Sequence, residues 1–302
     1  MDNFKILPEA IVVEIKNFLK QKKSEYKISE SFVNPILRDD IFVLLEDHSI
    51  VVYYPLHDED NYGFHVTRTL CNKKVEFVYI NTKHGLSNQI FTAGHELGHI
   101  WELDKHLVDA LRVNLSVDDL EERVMNRFAA ELLAPQEVFI NYLVKYANDI
   151  PRITQTADNS YSLEPSALMQ LVVELMNQFM LPYKTIVLRL LELGVLQEEL
   201  VDALLDVELR DGVLNAIVNE VIMASGYSKM INSTDVKVIK GRDVESLFDI
   251  LATAEAQTVI DNTIIQSVRR DFGYAEPISA NALPDFPSPS IRMNRGGKTD
   301  DN

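Results

Sequence analysis

The segment Phe91–Glu102 reads FTAGHELGHIWE, and its spacing decides how the rest of the chain is read. At about 100° per residue, His95 and His99 fall one turn apart on one helix face, while Ala93, Leu97, Ile100 and Trp101 point roughly the other way. Residues four apart on a helix have Cβ atoms about 5–6 Å apart. Two imidazoles there can converge on one metal ion at about 2.0–2.1 Å each. Glu96 lies on the flank nearer His99, where a carboxylate reaches water at the metal without ligating it. That arrangement suits a general base in zinc-dependent peptide hydrolysis. Gly94 and Gly98 each cost a helix interior about 1 kcal/mol relative to alanine. The cost makes sense if a second element must approach closely. The rival reading, an exposed helix with two chance histidines, leaves both the glycines and the apolar stripe unexplained.

Catalytic zinc usually takes three protein ligands and keeps one position for water. The third must come from another helix facing the first. The stretch Glu121–Pro135, EERVMNRFAAELLAP, supplies an apolar face of Met125, Phe128, Ala129, Leu132 and Leu133. Glu121 and Glu122 flank that face almost symmetrically, so periodicity does not choose between them. Glu131 points away from it and reads as a solvated charge. Tyr79 and His84, just upstream of the histidine helix, are candidates to stabilise the oxyanion of peptide hydrolysis. The competing readings for these two are a strand aromatic and a turn histidine. Thr92 reads as a polar contact near a helix start, His106 as an exposed loop residue, and Cys71 as an inert strand-end residue.

Outward from this centre, the upstream chain alternates helix and strand. Pro8-Glu9 opens a helix running to about Lys23, and Asn34-Pro35 opens another ending near Asp47. Ser49–Tyr54, Phe64–Leu70 and Val75–Asn81 read as strands, with turns at Asn61-Tyr62-Gly63 and Asn72-Lys73-Lys74. Downstream the pattern is helical: about 88–104, 117–133, 136–148, 164–180, 184–194, 197–206, 210–224, 243–257 and 258–272. Val236–Ile239 reads as an isolated strand. The expected fold is α+β: a zincin-like core of a small antiparallel sheet plus helices, with an all-helical C-terminal extension. The expected domains are 1–196 for the core, 197–275 for the extension and 276–302 for a disordered, proline-rich tail.

Composition narrows the function class. The chain has 302 residues, 46% of them hydrophobic, and a formal net charge of −17. Direct nucleic-acid binding is not expected, because a phosphate-backbone binder needs positive charge to release counterions. Cys71 is the only cysteine, so no internal disulfide forms, and a reducing cytoplasm is the expected compartment. No stretch reads as a signal peptide or membrane span. The pair of helices around Met180-Leu181-Pro182-Tyr183 has helix-turn-helix spacing. Its second helix carries only Lys184 and Arg189 among apolar residues, so packing is favoured over DNA reading.

The chain also resembles the ImmA/IrrE family of metallopeptidases. The resemblance rests on VYINTKHGLSNQIFTAGHELGH (Val78–His99), on EERVMNRFAAELLAP, and on LVVELMNQFMLPYKTIVLRLLELGVL (Leu171–Leu196), in that order. It covers roughly residues 7–196. The family's third-ligand helix has the pattern Glu-x-x-Ala-Asn-x-Phe-Ala. That register implies Glu122 as the ligand and Asn126 as a residue orienting a histidine. Met125, Ile90 and Ala134 depart from the usual pattern. The resemblance implies zinc and an intracellular endopeptidase that cleaves a partner regulator. The partner is typically a helix-turn-helix repressor, and cleavage follows stress, DNA damage or a defence signal. The alternative is a zinc-containing partner-binding or DNA-binding regulator without proteolysis. An intact Glu96 argues against that alternative, because a purely structural zinc site has no need of it.

Overall fold

Val78 and Ile80 lie almost fully buried in the central strand of a three-stranded sheet, and the site is assembled around that strand. The computed structural model describes residues 6–28, 36–55, 61–70, 73–115, 119–150, 153–155 and 161–209, with isolated helical positions at 216, 220, 252, 256, 262, 265 and 266. The expected strand at 236–239, the tail from 276 and Cys71 lie outside the described residues. So do the expected helices beyond 209, apart from those isolated positions. In chain order the elements are α1 (Glu9–Glu25), α2 (Asp40–His48), β1 (Ile50–Tyr54), β2 (Gly63–Leu70), β3 (Lys73–Asn81), α3 (Leu86–Ile100), α4 (Leu103–Leu111) and α5 (Leu120–Leu133). There follow α6 (Gln136–Asp149), β4 (Ile153–Gln155), β5 (Tyr161–Leu163), α7 (Pro165–Phe179), α8 (Tyr183–Glu192) and α9 (Glu198–Leu209).

The α+β class and the strand positions agree with the sequence reading, but the sheet is not antiparallel. Its order is β1-β3-β2, with β1 parallel to β3 and β2 antiparallel to β3. The connection after β1 carries the chain past the position beside β1. The β2–β3 hairpin then returns β3 into that gap. Alternating apolar residues specify that a strand exists and which face it buries, but not which neighbour it takes. A short antiparallel pair, β4 with β5, lies between the expected helices at 136–148 and 164–180.

The expected helix at 88–104 is two helices. Glu102 takes a left-handed conformation (φ 59°), which ends α3 and starts α4 in a new direction. His106 therefore sits on a helix and not in an exposed loop. Its Nε2 lies 2.7 Å from Glu14 Oε1 on α1, and its ring packs 4.8 Å from that of Phe18. Helix α1 thereby belongs to the same core, with Ile11, Ile15, Phe18 and Leu19 buried in it.

Helices α3 and α5 pack closely because glycine lines the contact. A Cβ on Gly98 would stand 2.9 Å from Met125 Sδ and 3.0 Å from Phe128 Cδ1, and one on Gly94 would stand 3.0 Å from Leu133 Cδ1. Gly63 is tighter still. A Cβ there would meet the Tyr79 carbonyl oxygen at 2.5 Å and Thr92 Cγ2 at 2.6 Å. Thr92 cannot rotate away without losing its hydroxyl hydrogen bond to Asn88 O, 2.9 Å. Gly63→Ala should therefore push β2 off α3 and cost about 1–3 kcal/mol, in line with overpacked sites. A urea midpoint equal to wild type would show that β2 can shift freely.

Helix α5 is buried almost all round. Glu131, expected to be a solvated charge, is only 7% exposed. It pairs with Arg127 at 2.9 Å and with Arg189 of α8 at 2.7 Å, and Glu192 holds both arginines from the other side at 3.1 and 2.9 Å. The amphipathic-face argument assumes one solvent side, and α5 has packed neighbours on several. Arg189 is thus inside the core, and α8 packs through Ile186, Val187, Leu190 and Leu191, as its apolar sequence predicts. Helix α9 continues this core past residue 196: Val201, Leu204 and Leu205 are buried, and the Tyr183 hydroxyl donates to Leu204 O at 3.2 Å. Among the described residues no helix is long and apolar enough to cross a membrane.

Candidate metal centre

Helix α3 turns its apolar side to the core and presents His95 and His99 on the other, with side chains 13% and 20% exposed. Their Nε2 atoms lie 3.3 Å apart. Helix α5 brings Glu122 Oε2 to 3.3 Å from His95 Nε2. Donors about 2.0–2.1 Å from a tetrahedral ion stand about 3.3–3.4 Å from one another, so both distances are those of two edges of a metal tetrahedron. One ligand atom from each of His95, His99 and Glu122 falls within 4.8 Å of the others, and this group could hold a metal ion.

Glu121, the rival carboxylate, approaches from a different side. Its Oε1 is 3.8 Å from His99 Nδ1, the nitrogen away from the shared centre. The geometry thus separates two residues that periodicity leaves equivalent. Asn126 lies one turn after Glu122, with its Oδ1 3.0 Å from His95 Nδ1. With Nδ1–H donating to Asn126, the lone pair of His95 Nε2 is directed at His99 and Glu122.

The electrostatics suit ligation. Burial, helped by the nearby His95 and His65 and opposed by Glu122, lowers the His99 pKa to about 4. An imidazole that stays neutral keeps the lone pair a metal needs. Burial also acts to lower His95, but the Glu122 hydrogen bond and the Glu96 charge outweigh it and raise its pKa. The hydrogen bond with His95 lowers that of Glu122 against a smaller effect of burial. Glu96 is 6% exposed. Burial raises its pKa, opposed by His95 and His65.

Of the two upstream candidates, the Tyr79 ring stacks on Phe64 at 4.5 Å, and that of His84 stacks on Tyr62 at 4.1 Å. The aromatic ring beside His99 from the sheet is a third histidine, His65 of β2, with centroids 6.4 Å apart and planes 20° from parallel. The sequence reading passed over it. His65 Nε2 is fixed at 2.5 Å from Glu76 Oε2, which also accepts from the Thr67 hydroxyl at 2.7 Å, while Lys74 holds Glu76 Oε1 at 2.8 Å. Burial alone would raise Glu76; hydrogen bonds from Lys74, Thr67 and His65 outweigh it and bring it to about 2. The available signal was the period of β2: Gly63, His65 and Thr67 share one face of the strand, and Gly63 touches the metal helix.

The IrrE N-terminal-like domain, a peptidase family, matches residues 45–191. That segment belongs to this family. The IrrE-like segment contains the sheet, the histidine helix α3, the acidic helix α5 and the α7–α8 pair. Helices α1 and α9 fall outside the matched segment yet bury side chains in the same core. No curated protein and no solved structure matches the chain. The match suggests a metallopeptidase-like function for residues 45–191, and the His-His-Glu group within them could hold a metal ion.

Proposed function

We propose that the chain is a zinc-dependent intracellular endopeptidase that cleaves a helix-turn-helix repressor in a stress, DNA-damage or defence response. The observation that carries the metal reading is the pair of 3.3 Å spacings that His95 Nε2 makes with His99 Nε2 and Glu122 Oε2. Zinc held by His95, His99 and Glu122 would polarise the scissile carbonyl and lower the pKa of the attacking water. Glu96, one residue along from His95, accepts the proton from that water and passes it to the leaving amine. Asn126 orients the His95 imidazole through its outer nitrogen. The neighbouring His65, held by Glu76, is placed to donate to the carbonyl oxygen as charge develops, a role also open to Tyr79 and His84.

The substrate is read as an extended peptide. Strand β2 forms one edge of the sheet and carries His65, so a segment pairing with β2 would run alongside α3. The strong negative charge and the burial of Arg189 favour a protein partner over direct DNA contact. The single cysteine supports a reducing compartment.

Metal analysis tests the ligand set. The purified protein should carry about one zinc per chain. Glu122→Ala should hold well under half of that after dialysis, while Glu121→Ala, which removes only an outer contact, should keep most of it. Zinc lost from the Glu121 variant and kept by the Glu122 variant would overturn the assignment.

A further inference from the structure

Gly63, His65 and Thr67 of β2 stand opposite Ile80, Val78 and Glu76 of β3. Directly opposite residues share a face of the sheet, and Gly63 places this face against Thr92 of α3. Ile80 and Val78 are buried there, and beyond them the face turns polar beside His99. Glu76 is the centre of that polar end. Its carboxylate meets three donors: His65 Nε2 at 2.5 Å, the Thr67 hydroxyl at 2.7 Å and Lys74 Nζ at 2.8 Å. Lys74 also reaches Glu102, where α3 gives way to α4, at 3.5 Å.

The plain reading of this cluster is a staple that ties the β2–β3 hairpin to the end of α3. Lys74 and Glu102 are both exposed, so water screens their pair and it adds little. Glu76 and His65 differ, with side chains only 13% and 19% exposed. Burial raises the Glu76 carboxyl, but hydrogen bonds from Lys74, Thr67 and His65 outweigh it and bring it to about 2. An ionised carboxylate only accepts, so the hydrogen between the two groups belongs to His65 Nε2. Flipping the ring would turn a carbon toward Glu76, so this one contact fixes both the tautomer and the ring orientation. Among the described residues nothing bonds to the other ring nitrogen, Nδ1. Burial dominates the shifts of His99 and Glu96, and the His65 charge lowers both, so the ring lies within electrostatic reach of both groups. A staple needs no ring held in this way beside the metal ligands.

We propose that Glu76 is a positioning residue for peptide hydrolysis: by holding Nε2 of His65 it presents Nδ1 of that ring to the scissile carbonyl. The role rests on the peptidase reading, and within it His65 is the group that touches substrate. The ring that donates to the carbonyl oxygen carries hydrogens on both nitrogens. Nδ1–H meets the oxygen as it gains charge, while Nε2–H stays on Glu76, whose carboxylate faces the positive ring. Neither proton is transferred, so the water's proton still passes through Glu96. The contact strengthens only as the oxyanion forms, so its loss acts on kcat more than on KM. Thr67 and Lys74 hold the Glu76 carboxylate in place from its other lone pairs.

Two measurements on the full chain test this. Nitrogen NMR of the histidine rings should show His65 with its hydrogen on Nε2 in the wild type and mixed tautomers in Glu76→Gln; a wild-type ring in mixed tautomers overturns the proposal. For activity, a peptide library cut by the zinc-loaded chain gives a sequence, and a quenched fluorogenic peptide of that sequence reads kcat and KM. Glu76→Gln should keep its zinc, lower kcat about 10–100-fold, as loss of an orienting partner does, and leave KM within about threefold. His65→Phe should lower kcat about 10²–10³-fold, as loss of an oxyanion donor does. The double variant decides. If Glu76 acts through His65, Glu76→Gln added to His65→Phe lowers kcat no further. A staple gives the same loss in both backgrounds, and that result overturns the proposal, as does a Glu76→Gln loss explained by lost zinc. A zinc-loaded wild type that cuts no peptide removes the peptidase reading and this role with it. An active wild type beside an equally active Glu76→Gln removes the positioning role alone.

Discussion

Glu96→Gln should retain zinc at the wild-type level and lose proteolysis by about 10²–10⁴-fold, the range general-base groups contribute. The side chain is 6% exposed, so the nearly isosteric amide fits the same space without leaving a cavity. It lies between His95 and His99 in sequence but supplies none of the three clustered ligand atoms, so metal binding should survive. The amide cannot take a proton from water at neutral pH, and that single property separates the variants. The measurement is cleavage of a candidate helix-turn-helix regulator, followed by mass spectrometry, with zinc determined on the same sample. A fully active Glu96→Gln protein would remove the general-base role. A zinc-loaded wild type that binds the regulator without cutting it would favour capture over hydrolysis.

How far the sequence could be read depends on the range of the physics involved. His95, Glu96 and His99 belong to one helix, where a four-residue spacing fixes geometry without help from the rest of the fold. The distances between their atoms were therefore implicit in the spacing. Glu121 and Glu122 sit on a second helix, and their roles depend on how α5 rotates against α3. Periodicity gives that rotation only to within a residue. The packing of Gly98 on Met125 and Phe128 supplies the missing constraint, with Glu122 meeting His95 Nε2 and Glu121 meeting His99 Nδ1. His65 was further out of reach, because its approach to His99 requires β3 to enter between β1 and β2. That choice of neighbours is made by the whole sheet and leaves no local mark. Tyr79 and His84 were attractive because they are near α3 in sequence, whereas a strand crossing the sheet can bring a more distant residue nearer in space.

Glu131→Ala should destabilise the protein by about 3–5 kcal/mol, the cost of leaving buried charges without their partner. Arg127 and Arg189 have side chains 5% and 1% exposed. Without Glu131 both would depend on Glu192, which is 24% exposed and already bonded to each. The Gln136 N–H, 3.1 Å from Glu131 Oε1, and through it the start of α6 would also lose a capping acceptor. Glu192→Ala should cost less, because water can reach the position it vacates. The intact group is not for that reason a large net stabiliser: desolvating four charges opposes their mutual attraction. Replacing Arg127, Glu131 and Arg189 together by Met, Leu and Met should therefore recover much of the loss seen in Glu131→Ala. Urea unfolding followed by circular dichroism reads all of these variants, and the thermal midpoint of Glu131→Ala should fall by about 6–20 °C. A Glu131→Ala midpoint within a degree or two of wild type would mean that solvent or a rearranged Glu192 reaches the arginines. The link between α5 and α8 would then rest on apolar packing alone.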